Sequence, residues 1–106
     1  MTDLTALIER LEAAEEGSRE LDGEIAVMLK PGFYPSSDIA EKGAAPYTTS
    51  LDTKLPLENI RHVGHDHESR NWMAAHVGPK NTIWGIGKTE PLARRIAALR
   101  ARRESD

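Results

Sequence analysis

Leu4, Leu7, Ile8 and Leu11 recur at the spacing of one helical face, with Glu9, Arg10 and Glu12 on the other side. The spacing predicts an amphipathic helix over residues 3–15, stopped by Gly17. Ser18 then stands where an N-cap belongs. Leu21, Ile25, Met28 and Leu29 form the stripe of a second helix, 19–29, which Lys30-Pro31-Gly32 terminates. From residue 30 to Tyr47 the chain is rich in Pro, Gly, Ser and Ala without periodicity, which reads as a long loop. A short helical turn is expected in SLDTKL, capped by Thr49 or Ser50 and closed by Pro56.

After Pro56 the period shortens. LENIRHVGHD, NWMAAHV and NTIWGIG are brief apolar segments separated by turn residues, and read as two or three antiparallel strands. Gly78-Pro79-Lys80-Asn81 is the expected hairpin loop between the second and third. Thr89 caps a final helix with Glu90 and Pro91 in its first turn, and Leu92, Ile96 and Leu99 line its apolar stripe. The chain is therefore expected to be one α/β (α+β) domain over 1–106. In it a small antiparallel sheet is flanked by N-terminal helices and a C-terminal helix, with a loop-rich segment at 30–47.

Composition narrows the function classes. The 106 residues suffice for one core, and the absence of cysteine removes disulfides, thiolate catalysis and thiolate zinc sites. No apolar run approaches the roughly 18 residues that cross a bilayer, and the N-terminus lacks a signal-peptide pattern. A cytosolic protein is expected. The net charge of −3 conceals a split: residues 1–50 carry four basic and ten acidic side chains, residues 51–106 ten and seven. That balance argues against a general nucleic-acid binder and suggests halves that attract each other within or between subunits, hence a homo-oligomer.

The stretch GIGKTEPLARRIAALRAR, 85–102, draws most attention. A P-loop would need glycine five residues before Gly87, where Thr82 stands, so that motif fails. A lesser anion site remains conceivable. Gly85 and Gly87 permit unusual torsions, Lys88 and Thr89 add a charge and a hydroxyl, and the helix directs free N–H groups toward them. Arg94 and Arg95 lie about a turn away and suit bidentate grip of phosphate. The competing reading is an ordinary glycine-rich strand-to-helix turn. Trp84, just before it, serves either as core packing or as a stacking surface for a base.

His62, His65, Asp66 and His67 have ligand chemistry, with His76 on the neighbouring strand. They sit among Glu68, Ser69 and Arg70 in what reads as an exposed hairpin tip, and no metal or cofactor is assigned. The carboxylates Glu9, Glu12, Glu15, Glu16, Glu20 and Glu24 form a solvated helical face, and no nucleophile constellation suggests an enzyme.

Three stretches, LTALIERLEAAEEGSRELDGEIA at 4–26, PYTTSLDTKL at 46–55 and TEPLARRIAALRAR at 89–102, together resemble the phage ABA (α-β-α) sandwich domain family. Its members pair a Ser-Arg-Glu-Leu-Asp helix with a Tyr-Thr-x-Ser-Leu-Asp turn and a Thr-Pro-x-Leu-Ala-type C-terminal helix. Here Glu90 intervenes between Thr89 and Pro91, and the histidine-rich hairpin departs from the pattern. The resemblance implies a phage origin and α-β-α layering. A more distant similarity is to phage sponge proteins that block Thoeris immunity by sequestering cyclic nucleotide-type signals without degrading them. It implies ligand-binding roles for Asn81, Trp84, Arg94 and Arg95, and the anion site read from Gly85, Gly87, Lys88 and Thr89 is compatible with it. The alternative is a phage protein-interaction inhibitor that covers a host defence effector through its acidic N-terminal helices.

Overall fold

A computed structural model describes residues 4–56 and 58–105. Its order is α1 (Leu4–Ala13), α2 (Arg19–Leu29), α3 (Ser37–Gly43), β1 (Ile60–His65), β2 (Trp72–Val77), β3 (Thr82–Gly87) and α4 (Glu90–Ser105). The three strands form one antiparallel sheet in the order β1-β2-β3, so the domain is α+β with N-terminal helices and a C-terminal helix. Two elements differ from expectation. Segment 30–47 holds α3, capped by the Ser36 side chain, which accepts from Ile39 N–H. With Ala40 its only buried residue, α3 is too short and too exposed to leave a periodic trace. The SLDTKL stretch is not helical; its carbonyls are engaged elsewhere, as described below.

The apolar stripes become the main core. Leu7, Ile8 and Leu11 of α1 meet Leu21 and Ile25 of α2, Leu55, and Leu92, Ile96 and Leu99 of α4. A second, smaller cluster joins Ala93 and Ala97 of α4 to Ala74, with Ile60 and Trp72 packed against it. Helix α4 thus lies between the helical layer and the sheet, touching all three strands. Its approach to the sheet is set by Gly85, where an added Cβ would fall 2.3 Å from the Ala97 backbone nitrogen. Small residues on both sides let helix and strand backbones nearly touch, so van der Waals contact is made by backbone rather than by long side chains.

Helix α4 covers one face of the sheet, and α1 packs on α4 and on β3. Period-two alternation then divides the strands. Trp72, Ala74 and His76 pair with Gly87, Gly85 and Ile83 on the α4 side, whereas Met73 and Ala75 pair with Ile86 and Trp84 on the far side. Met73, Trp84 and Ile86 remain 36%, 48% and 44% exposed.

Candidate functional site

The residues expected to bind a ligand separate into five places. Gly85 and Gly87 point at α4, and an added Cβ on Gly87 would meet Ala93 N at 2.9 Å and Leu92 Cβ at 3.0 Å. Neither has a positive φ, so they are packing glycines rather than a cradle for phosphate. Arg95 is fully buried, contrary to its expected grip on an external phosphate. Its Nε donates to Tyr47 O (2.9 Å), one terminal nitrogen to Glu58 Oε2 (2.7 Å), and the other to the Ser50 and Leu51 carbonyls (2.6 and 3.3 Å). With those donors spent inside the protein, Arg95 cannot clamp an external phosphate. A signal was available: Leu92, Arg95, Ile96 and Leu99 occupy i, i+3, i+4 and i+7, which puts the arginine within the buried stripe.

At the N-terminus of α4, Thr89 Oγ1 accepts from Leu92 N–H at 3.3 Å, as its capping position requires. Arg94 is held by Glu90, with Nε and a terminal nitrogen both 2.9 Å from Glu90 Oε2. That leaves Lys88, exposed and one residue past β3, as the cation at this end of the strand. Asn81 lies at the opposite end, in the hairpin loop closed by Gly78 N–H donating to Asn81 O at 2.9 Å. Trp84, midway, projects from the far face of the sheet. The structure therefore brings Trp84 and Ile86 together on one face, with Lys88 just beyond, and sends the glycines and Arg95 the other way.

The histidines also divide. His62 pairs with Ala75 and His65 with Trp72, three positions apart on β1, so their side chains leave opposite faces. His65 stacks at a tilt on Trp72 (centroids 4.9 Å) and meets His67 edge-on (5.1 Å). His76 pairs with Ile60 at the far end of the strand pair. Among the described residues no group of three or more His, Asp or Glu is placed to hold a metal ion. Asp66 instead organises the tip, accepting from Glu68 N–H and Ser69 Oγ, and these hydrogen bonds hold its carboxyl below the ordinary value.

Polar residues of the three familiar stretches meet in the interior. Buried Asp22 accepts through Oδ1 from Thr48 N–H (2.8 Å) and Thr48 Oγ1 (2.7 Å), and through Oδ2 from Arg19 (2.9 Å). Ser18 N–H donates to Thr48 Oγ1 at 2.9 Å. Arg19 also reaches the carbonyls of Glu41 and Ala44. Thus Ser18, Arg19 and Asp22 of the first stretch tie to Thr48 of the second, and the second is tied to the third by Arg95. These side chains knit the fold together. Burial pushes the Glu58 carboxyl up and the Arg95 guanidinium down, so removal from water outweighs the attraction of each for the other.

Two cavities open on the surface of the described residues. One, about 520 Å³, lies between α2 and α3 and is lined by Glu20, Glu24, Glu41 and Tyr34. Arg10 pairs with both Glu20 and Glu24, and burial raises the Glu24 carboxyl. The other, about 750 Å³, opens between the β2–β3 hairpin and α4. Among the described residues no helix is long and apolar enough to cross a membrane. No family model, curated protein or solved structure matches the chain.

Proposed function

We propose that the chain is a non-enzymatic, phage-encoded anti-defence protein that sequesters a cyclic nucleotide-type immune signal without degrading it. The ligand lies on the open face of the sheet, and the protein acts as a homo-oligomer in the host cytoplasm. The observation that carries this reading is Trp84: a large indole left 48% exposed beside Ile86 and Met73 on an otherwise uncovered face. A base stacked on such a ring gains about 1–3 kcal/mol. Lys88, four residues on and about 13 Å away at strand rise, is the cation for a phosphate. That span suits a ligand with two linked nucleotide units better than a mononucleotide. A flat face surrounds little of a ligand, so a second copy closing over it would supply the enclosure that a binding site needs.

Calorimetry with cyclic ADP-ribose isomers and with cyclic di- and trinucleotides tests the reading, followed by chromatography of the released ligand. Micromolar or tighter binding, lost in Trp84→Ala and weakened in Lys88→Ala, with the ligand recovered intact, is the expected result. Absence of binding, or full affinity in Trp84→Ala, overturns it. Arg95→Ala is not a valid probe, because that side chain supports the fold.

A second reading has its own observation. Glu9, Glu12, Glu15 and Glu16 of α1 and the turn after it are all exposed, an acidic surface able to cover a nucleic-acid site on a host effector. Partner binding that falls steeply with salt, and is lost on charge reversal at Glu12, Glu15 and Glu16, would favour it over ligand capture.

A further inference from the structure

The cavity of about 750 Å³ between the β2–β3 hairpin and α4 is on the opposite side of the sheet from Trp84. Its apolar walls are Pro79 and Ile83 from the hairpin, Pro56 before β1, and Ala98 and Ala101 from α4. One wall is rigidly built. Asn59 extends the β1–β2 ladder, its carbonyl accepting from Val77 N–H (2.9 Å) and its Nδ2 donating to Val77 O (2.8 Å).

Three residues with donor side chains, His76, Lys80 and Asn81, line this volume. His76 Nδ1 accepts from Asn59 N–H at 3.1 Å, which fixes the neutral imidazole as the Nε2–H tautomer. Among the described residues no group meets Nε2, nor the side chains of Lys80 and Asn81 beside it. Arg102 and Glu104 complete the rim, so the lining carries two cations and one carboxylate. Its size falls within the roughly 300–1,000 Å³ of small-molecule pockets, and apolar walls with a few convergent polar groups are their usual make-up.

We propose that this groove binds a small organic oxyanion with an apolar body. The carboxylate or phosphate is taken by His76, Lys80 and Asn81, and the body lies on Ile83, Ala98 and Ala101. The neutral Nε2–H donates without bringing a second full charge into a partly desolvated place, while Lys80 at the rim supplies the countercharge. The proposal is independent of the Trp84 reading, since the two sites use opposite faces of the sheet and no residue in common.

The test is a titration of the ¹⁵N-labelled protein with phenyl phosphate and with hexanoate, beside inorganic phosphate and hexanol as probes of charge and apolar body alone. Saturable shifts at the amides of Val77–Ile83 and Ala98–Arg102, with Ile86 and Lys88 unmoved, are expected for phenyl phosphate, hexanoate or both. Which of the two binds identifies the oxyanion. Lys80→Ala/Asn81→Ala alters only exposed loop side chains and should weaken binding by about tenfold through loss of charge-assisted contacts. The proposal is overturned if neither probe saturates up to about 20 mM, if inorganic phosphate binds as well as phenyl phosphate, or if the double variant keeps wild-type affinity.

Discussion

The Arg95 guanidinium and the Glu58 carboxylate meet at 2.7 Å with side chains 0% and 1% exposed. They join α4 to the loop before β1 in the centre of the molecule. Arg95 also holds the carbonyls of Tyr47, Ser50 and Leu51, so one side chain gathers the whole 47–58 segment onto the helix. Arg95→Met would leave Glu58 charged and buried with three carbonyls short of a donor, a loss of about 3–5 kcal/mol. Adding Glu58→Gln removes the orphaned charge while keeping an acceptor for Leu55 N–H, so the double variant should recover part of the loss. Urea unfolding at neutral pH measures both, and a single-variant cost under about 1 kcal/mol would contradict this role.

Glycine at position 85 should be irreplaceable. Its added Cβ would lie 2.3 Å from Ala97 N and 2.7 Å from Ala93 O, both backbone atoms that yield only if strand and helix separate. Gly85→Ala is expected to cost about 1–3 kcal/mol or more by overpacking. Gly43→Ala is the contrast: its Cβ would sit 3.5 Å from Tyr34 at the end of α3. That substitution should be neutral or stabilise by up to about 1 kcal/mol through loss of unfolded-state freedom. Melting temperatures of the two variants would separate packing from propensity.

The turn joining β1 to β2 stores strain at Arg70, whose φ of 62° is the only positive value on a described non-glycine residue. Arg70 N–H closes the turn on Asp66 O at 2.7 Å, so the conformation is required. Arg70→Gly relieves the Cβ crowding and should raise stability by about 0.5–1 kcal/mol. A lower melting temperature in that variant would argue against it.

Burial holds the His76 imidazole below its ordinary value, and protonating Nδ1 would also break its bond from Asn59 N–H. Below the unfolded value of about 6.5, the unfolded chain therefore binds more protons at this site than the folded one. The stability contribution is intact above that pH and is lost as pH falls toward the folded value. Burial raises the Glu24 and Glu58 carboxyls, which acts in the opposite sense at lower pH. The wild type is therefore compared with His76→Asn, whose Oδ1 keeps an acceptor for Asn59 but does not titrate. Between pH 7.5 and 5.5, about one unit either side of the unfolded histidine value, the wild type should lose more stability than His76→Asn. Equal slopes in denaturant unfolding would remove His76 as the cause.

Periodicity alone reached much of this protein. The stripes Leu4–Leu11 and Leu21–Leu29, the caps at Ser18 and Thr89 and the turn at 78–81 are local patterns, and helices and hairpins are built from local hydrogen bonds that such patterns report. Helix α3 escaped because seven residues with one buried side chain have no period to read. The candidate site was legible only in pieces. Strand alternation could have put Trp84 and Gly85 on opposite faces, but not which face α4 would cover. That was decided by the close fit of Gly85 and Gly87 against Ala93 and Ala97, a contact between distant segments. Likewise helical spacing puts Arg95 on the apolar stripe of α4 but does not show what would hold its charge there. Its burial depends on Glu58 and three carbonyls brought from 37 to 48 residues away. A charge can be taken out of water only where such partners converge, and convergence belongs to tertiary structure.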